Sequence, residues 1–580
     1  MNFRVLPFAC VALLLLGLAA TFSRVHTLSG PAGEEATHVS IVQSLWHDRD
    51  LAYEEKDLLR AYHVWNLGPR GLTLITNDGG RTVGYGEPFV YALAALPFYG
   101  LLGVQGLAVF NMALWLAMVA AAWWAFRGEP GRPGLFLAGF FFASAAFAYV
   151  FRCEPVVFAM ACLFFPLLLW IRLRRRAVWT GRDLALLAGA GVLLAALFLA
   201  AGPAVLVALP ILVDLVWQRR WRGFLALLVP ALVAAGLVYA VHWRLAGSWS
   251  PYQAAQRSAF EDEFPAESRR DLWQLRRGAR IPPWQAGPRH EAGLALLGRN
   301  AGYFLAGRHA GLLPWFPFAL LALALYAFGP KDRARHLLLA AVAVFCLFQL
   351  LWRPLDWNGG PEALGNRAFA IVYPALLLLP GSLGSRRGLL LAFAAAGFWT
   401  TSALAPEPGD ARTRTPMFRA LPFELTLLTG GSLPGYTART WGGAIWVVPR
   451  DNFYVDESHP NGVWVRGASR SEVVVISPEP IDRLRFEALS LSAENVLTVD
   501  SGRETAKVRF DTEGKRQGAP IDLATRLAAR DIGVLAPAQP EYLYRLTLTT
   551  TDGWVPARRL RDNADPRYLG AFLDFTGGGL

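Results

Sequence analysis

The feature that most restricts this chain is a recurrence of apolar runs close to the length of a bilayer crossing. Leu6 to Phe22, Leu107 to Phe126 and Phe224 to Val241 each approach the roughly 20 apolar residues a helix needs to cross the hydrocarbon core. In lipid every backbone N–H and C=O must be bonded within its own segment, so runs of this kind fold as helices. Composition agrees, with 54% of the 580 residues hydrophobic, 13% aromatic and 17% charged, a balance rare in a soluble enzyme of this length. The expected fold class is a polytopic α-helical membrane protein.

Short basic clusters lie between the runs: Arg127 and Arg132, Arg172 to Arg176 with Arg182, Arg219 to Arg222, Lys331 with Arg333 and Arg335, and Arg386 with Arg387. They share one side if Pro88 to Gly103, apolar but short and broken by Pro97, is an interfacial or half-inserted helix and not a crossing. The positive-inside rule then gives about eleven spans with the amino end inside. The net charge of +12 is topological on this reading, and no nucleic-acid partner is expected. Cys10, Cys153, Cys162 and Cys346 show no paired or metal-type spacing, so neither a disulfide nor a zinc site is expected. Met1 to Ser23 reads as a retained first span, with a cleavable signal peptide as the alternative.

A transmembrane domain is thus expected over residues 1–405, with outward loops at 24–104, 245–309 and 353–367. A polar, proline-bearing linker occupies 406–417, and 418–580 reads as an extracytoplasmic, mostly-β sandwich-like domain. Its strand signals are Val473 to Ile476, Leu484 to Leu491, Ala506 to Phe510 and Tyr542 to Thr550, separated by Gly, Pro, Asp and Asn. One short helix is expected near Asp522 to Ala529.

No Walker loop, GxSxG elbow or HExxH occurs, which removes the simplest ATPase, hydrolase and metalloprotease readings. The outward side carries the polar candidates. GEEATHVSIVQSLWHDRDL, Gly33 to Leu51, opens with Glu34 and Glu35, and the turn Phe151 to Pro155 contains Glu154. Arg308, Arg353 and Arg367 stand at outward membrane boundaries. Plain structural readings stand beside these. The acids suit a helix N-terminus, Glu154 has Arg152 beside it, the arginines suit snorkelling span ends, and His38 reads as a helix-face partner. Asp48-Arg49-Asp50 copies a DxD metal motif, but a lone DxD on a polar helix face is a frequent accident; no cofactor is called for and a divalent metal is not expected. Trp243, Trp249, Trp273, Trp284 and Trp315 suit sugar stacking or an interfacial aromatic belt equally.

The acidic pair beyond the first span, the amphipathic QSL-type helix and the Gly/Pro-bearing short apolar helix together resemble the GT-C membrane glycosyltransferases. The likeness is to the protein-mannosyltransferase and aminoarabinose-transferase branch, glycosyltransferase family 39. Asn300 to Pro317 (NAGYFLAGRHAGLLPWFP) and Asp356 to Arg367 (DWNGGPEALGNR) look like motifs of bacterial members of that group. The resemblance covers about residues 1 to 405. It places Glu34 where the family usually has Asp, Glu35 at the following Glu, His38 at a common Tyr, and Glu154 at the acid of the second outward loop. Gly86, Glu87 and Pro88 replace a Lys-Pro-Pro motif whose Lys contacts phosphate.

What the resemblance implies is transfer of a sugar from a polyprenyl-phosphate-linked donor to a lipid, glycan or protein acceptor of the envelope. The site would be the outer face of a bacterial inner membrane, among membrane lipids, with inversion. Such a transfer needs a base for the acceptor hydroxyl, here Glu34 with Glu35 and Glu154 in support, and cations for the departing phosphate. With the Lys absent, Arg308, Arg353 and Arg367, with His38 beside them, are the candidates, since a guanidinium donates two parallel hydrogen bonds to phosphate. A transporter or lipid flippase and a non-catalytic envelope assembly protein stay open as other classes. A transporter should carry polar residues at mid-membrane, where Asp214 is nearly alone.

Overall fold

The structure is a computed structural model. It describes residues 6–575 except 22–30, 32, 66–67, 70, 77–82, 129–132, 175, 177, 248–255, 260–293, 361–362, 381–385, 404–419, 430–435, 441–442, 450–451, 456–461, 511–516, 524–526, 529–530, 532–541, 561–564 and 566. The expected linker at 406–417, and Trp249, Trp273 and Trp284, therefore lie outside the described residues. The chain divides into two compact units, residues 1–283, 315–348 and 367–397 in the first and 284–314, 349–366 and 398–580 in the second.

The first unit is helical. In order come α1 (Leu6–Thr21), α2 (Gly33–His47), α3 (Glu55–Trp65), β1 (Thr73–Thr76), β2 (Gly84–Tyr85), α4 (Val90–Leu102), α5 (Gln105–Phe126) and α6 (Pro133–Phe142). A 3-10 turn at Ala145–Phe151 leads to α7 (Val156–Leu173) and α8 (Gly181–Ala201). A second, Gly202–Ala208, leads to α9 (Leu209–Trp217) and α10 (Trp221–Ala246), followed by β3 (Gln256–Ala259). Among the described residues, five helices are long and apolar enough to cross a membrane, or six if the bent pair Pro133–Phe142 and Ala145–Phe151 is one span, and five apolar helices are shorter. The protein is a multi-pass membrane protein. Prolines at the ends of or inside several helices shorten them relative to an even count of spans; Pro317 opens a 12-residue helix and Pro374 lies inside a 10-residue one. Val90–Leu102 is one of the shorter helices, with Pro97 inside it.

Membrane helices gain nothing from leaving lipid for an equally apolar partner, so close backbone approach carries much of the packing. Gly191 on α8 illustrates this, because a Cβ there would fall 2.1 Å from the Leu227 carbonyl oxygen of α10. The stretch after α1, expected to be polar loop and amphipathic helix, also contributes β1 and β2 to a small antiparallel sheet that β3, from beyond α10, completes in the order β2-β1-β3. Ser44 ties α2 to the start of α3 and to β2, because its hydroxyl donates to Asp57 Oδ1 at 2.8 Å and lies 2.7 Å from the Tyr85 hydroxyl. The Thr73 amide donates to Thr37 Oγ1 at 3.1 Å. These bonds hold the acid-bearing start of α2 on the sheet.

The remaining helices are α11 (Leu294–Ala306), α12 (Leu312–Trp315), α13 (Pro317–Phe328), α14 (Arg333–Trp352), α15 (Arg367–Leu376), α16 (Arg386–Ala403) and α17 (Leu425–Thr429). Strands then dominate: β4 (Tyr436–Thr440), β5 (Gly443–Pro449), β6 (Phe453–Val455), β7 (Gly462–Arg466), β8 (Arg470–Ser477), β9 (Arg483–Leu489), β10 (Val496–Asp500), β11 (Thr505–Arg509), β12 (Gln517–Asp522), β13 (Leu527–Ala528), β14 (Tyr542–Thr550) and, after the short α18 (Pro556–Arg559), β15 (Leu569–Asp574). They form one sheet ordered β11-β10-β14-β8-β5-β4, with β13 on β14, and another ordered β12-β9-β15-β7-β6.

In the described residues of Asp522 to Ala529, strand pairing stands in place of the expected helix. Ile521 pairs with Leu484 and Asp522 with Arg483 on β9, and Leu527 pairs with Leu543 on β14. Burial of Ile521 in the sandwich core outweighs the helical propensity of DLATRLAA. Val473 and Val475 of β8 face that core, while Val474 and Ile476 face a second cluster with Tyr303, Trp357, Phe423 and Leu427. Covered on both faces, β8 reads as an unbroken apolar run.

Candidate functional site

The start of α2 gathers the acids. Gly33 has a φ of 62°, a left-handed conformation that favours glycine, and it turns the chain into the helix. Glu34 and Glu35 fall in the first turn, where the macrodipole favours negative charge. They point to different partners. Glu34 takes a bidentate ion pair from Arg367 at the start of α15, Nη1 to Oε2 at 2.5 Å and Nη2 to Oε1 at 2.7 Å. Glu35 Oε1 accepts from the Cys153 backbone amide at 3.0 Å.

Glu154 is fully buried. Its Oε1 accepts from Arg152 Nη1 at 3.0 Å, and its Oε2 lies 3.8 Å from Arg367 Nη1. Arg367 thus stands between Glu34 and Glu154. Burial pushes the Glu154 carboxyl up; Arg152 and then Arg367 oppose this, and the neighbouring Glu35 and Glu34 reinforce it. His38 lies one turn after Glu34 and is 1% exposed. Burial lowers its imidazole to about 4, with Glu34 opposing and Arg367 adding to the shift, so the ring is neutral at pH 7. Five sequence candidates, Glu34, Glu35, His38, Glu154 and Arg367, are therefore neighbours in one unit.

Arg308 and Arg353 belong to the second unit. Arg308, 7% exposed, pairs with Glu472 at 3.0 Å and stacks 5.5 Å from the Phe423 ring centroid. Burial opposes ionisation of Glu472, but Arg545 and Arg308 outweigh it and hold the carboxyl below its usual range. Arg353 is exposed, 3.7 Å from Asp356. The two motif stretches build this unit. Asn300 Nδ2 donates to the Pro354 carbonyl at 2.7 Å, and Thr426 donates to Asn300 Oδ1 at 2.5 Å. The buried Glu424 accepts from the His309 and Ala310 amides at 2.7 and 2.9 Å.

Three participants escaped sequence reasoning. Asn111 is fully buried on α5 and donates to the Arg152 carbonyl at 2.7 Å; a lone amide inside the run Leu107 to Phe126 is the signal that marks it. Tyr91 on α4 meets His38 edge-on, ring centroids 5.5 Å apart. Glu424 carries no pattern in LPFELTLL that separates it from any surface acid.

Position 86, where the family's Lys would stand, has no room for one. Gly86 donates its amide to the Thr73 carbonyl at 2.8 Å, and a Cβ would fall 2.6 Å from Thr73 Cγ2. Of the DxD acids, Asp48 pairs with Arg60 at 2.7 Å and Asp50 with Lys56 at 2.9 Å. Among the described residues no group of three His, Cys, Asp or Glu side chains is placed to hold a metal ion. Asp214 accepts from Trp170 Nε1 at 2.9 Å and Gln218 Nε2 at 2.7 Å, a fixed structural role.

No protein-family model matches the chain, and no curated protein matches it. Solved structures similar to it include the crystal structure of ArnT from Cupriavidus metallidurans bound to undecaprenyl phosphate, at 15% identity and a TM-score of 0.37, over 68% of this chain and 60% of that one. Another is the cryo-EM structure of the arabinofuranosyltransferase AftD from Mycobacteria, at 13% identity and a TM-score of 0.33, over 99% of this chain and 58% of that one. The chain spans about three fifths of the length of each.

Proposed function

We propose that this protein transfers a sugar from a polyprenyl-phosphate-linked donor to a lipid, glycan or protein acceptor of the envelope, with inversion, at the outer face of a bacterial inner membrane. The observation that supports this best is the cluster in which Arg367 lies between Glu34 and the buried Glu154, with Glu35 anchored beside it on the Cys153 amide. It supplies proton-accepting carboxylates and a planar cation within one site, in a chain whose motifs resemble GT-C transferases.

In the proposed reaction the acceptor hydroxyl gives its proton to Glu34 as its oxygen bonds the anomeric carbon. The bond from that carbon to the donor phosphate oxygen breaks, and the phosphate leaves with the electron pair. Positive charge develops on the sugar in between, so one carboxylate opposite the leaving group suffices and no covalent sugar–enzyme intermediate is needed. Arg367 is the cation for the phosphate, through the same fork that now holds Glu34. A carboxylate with both oxygens on one guanidinium has to be released before it takes a proton. Donor phosphate that draws Arg367 away performs that release, coupling donor binding to the base. Glu35 and Glu154 position the acceptor and balance charge.

The experiment uses the purified full chain in detergent with undecaprenyl-phosphate-linked pentose, hexose and amino-sugar donors and a total envelope extract as acceptor, scoring release of undecaprenyl phosphate. Glu34→Gln is expected to lower turnover by about 10²-fold or more while donor binding is kept or tightened, because the Glu34 charge no longer competes with donor phosphate for Arg367. Full turnover in that variant refutes Glu34 as base; no release from any donor by the wild type refutes the reaction.

A further inference from the structure

Beneath the closest ion pairs, polar groups from four parts of the first unit converge without hydrogen-bond partners. Both ring nitrogens of His38, the Tyr91 hydroxyl, Asn111 Oδ1 and Glu154 Oε2 are buried and make no hydrogen bond. Tyr91, Asn111 and Glu154 are all fully buried. They belong together in space: Tyr91 meets the edge of His38, ring centroids 5.5 Å apart, and its phenol is within electrostatic reach of the Asn111 amide and of the Glu35 and Glu154 carboxylates, with no geometrically formed hydrogen bond on its hydroxyl. Asn111 is fixed by its bond to the Arg152 carbonyl, and Glu154 by Arg152. Each polar group left unpaired in an interior costs about 1–3 kcal/mol, and such groups are few in folded proteins. Several gathered beside a charged cluster mark a place where something else supplies the partners.

The donor and acceptor balance identifies the partner's chemistry. Neutral His38 offers one N–H and one lone-pair nitrogen, Tyr91 a hydroxyl that both donates and accepts, and Asn111 Oδ1 and Glu154 Oε2 accept only. Phosphate, itself an acceptor, would be repelled by that set. A ring bearing several hydroxyls fits it, since each hydroxyl donates one bond and accepts others. The aromatic rings of Phe110 and Phe158, 6.0 and 6.1 Å from Tyr91, add an apolar wall suited to a sugar's C–H face. Glu154 Oε2 lies 3.8 Å from the Arg367 guanidinium, so the hydroxyl-binding groups adjoin the proposed phosphate cation as a sugar adjoins its phosphate.

We infer that His38, Tyr91, Asn111 and Glu154 form the subsite for the hydroxyls of the donor sugar, a reading that rests on the proposed transfer reaction. It gives His38 and Glu154 a sugar-recognising role and adds Tyr91 and Asn111 as specificity-determining residues.

The test is equilibrium binding to the full chain in nanodiscs, with undecaprenyl phosphate and with the same lipid carrying a pentose, a hexose or an amino sugar. The wild type should bind at least one sugar-bearing lipid more than tenfold tighter than bare undecaprenyl phosphate. Tyr91→Phe, which removes one oxygen and keeps the ring, should erase most of that difference and change binding of the bare lipid by less than twofold. His38→Asn gives an independent reading of the same kind. Equal effects of both variants on bare and sugar-bearing lipids, or no sugar-bearing lipid favoured by the wild type, would show that these groups hold solvent only and overturn the subsite. Binding of neither lipid class by the wild type removes the polyprenyl-phosphate reaction, and the subsite with it.

Discussion

Arg367→Met should cost more folded stability than Glu34→Gln, although the two residues are partners. Among the described residues around them, three carboxylates, Glu34, Glu35 and Glu154, meet two guanidiniums, Arg152 and Arg367. Glu34→Gln leaves two of each, and Arg367 keeps Glu154 at 3.8 Å. Arg367→Met leaves the same three carboxylates with Arg152 as the one guanidinium among these described residues. Breaking a buried pair by removing one partner costs about 3–5 kcal/mol, whereas a solvent-exposed pair is worth about 0–1 kcal/mol. The Glu34 side chain is 35% exposed and that of Arg367 15%, so solvent screens the loss on the Glu34 side. The expected costs are about 1 kcal/mol for Glu34→Gln and about 3 kcal/mol for Arg367→Met. Adding Glu34→Gln to Arg367→Met removes one of the stranded charges, so the double variant should be about 1 kcal/mol more stable than the sum of the single losses. Unfolding of each purified chain in detergent, followed by tryptophan fluorescence, measures all three. Equal losses in the single variants, or a double variant at or below the additive value, would refute the charge count.

Gly86→Lys should lose about 1–3 kcal/mol through overpacking against Thr73, since the new Cβ would fall 2.6 Å from Thr73 Cγ2, and should gain no affinity for undecaprenyl phosphate; a stable, tighter-binding variant in thermal unfolding and lipid titration would contradict this. His38 has a folded value of about 4 against an ordinary 6.5, so between those values the unfolded chain takes a proton that the folded one refuses. Its contribution to stability is therefore lost as pH falls from about 6.5 to about 4, by up to about 3 kcal/mol, and His38→Asn should flatten that part of the stability–pH curve; parallel curves for both proteins would show that the imidazole is not responsible. The proposed orientation places Gly181 and Lys331 inside and Leu580 outside, and reporter fusions at the three positions check it; activity on the opposite face at any of them sinks the assignment of an outer site.

Much of the β domain was legible because its strands announce themselves locally. Val473 to Ile476 is a short β-branched run in a stretch punctuated by turn residues, which marks a strand. What covers its second face was not legible, since Tyr303, Trp357 and Phe423 come from separate parts of the chain. DLATRLAA misled for the opposite reason. Its composition suits a helix, and only the pairing of β12 with β9 and of β13 with β14 decides otherwise. At the candidate site the sequence supplied Glu34, Glu35 and Glu154, and three arginines of equal standing. Which of them pairs with Glu34 needed the fold, because Arg367 is 333 positions from Glu34 and no periodicity links residues that far apart. Glu424 was beyond reach altogether, since its work is done on the backbone amides of His309 and Ala310, which leave no mark in a sequence.

Thr73 closes the room a lysine would need at position 86, so on the proposed reaction the phosphate's cation has to come from elsewhere, and α15 brings Arg367 to Glu34. A lysine ammonium is a point charge that can serve phosphate without disengaging a base, but a guanidinium whose two outer nitrogens both bond Glu34 cannot turn to a phosphate without loosening that carboxylate. Base and cation are then one switch, held closed until a donor competes for the fork. Glu154, 3.8 Å from the same guanidinium, keeps it within the site while the exchange takes place. The donor titration of Glu34→Gln bears on this directly: an unlatched Arg367 should take donor phosphate at least as tightly as in the wild type, and a variant that binds donor more weakly would mean that Glu34 holds Arg367 in its working position instead of competing for it.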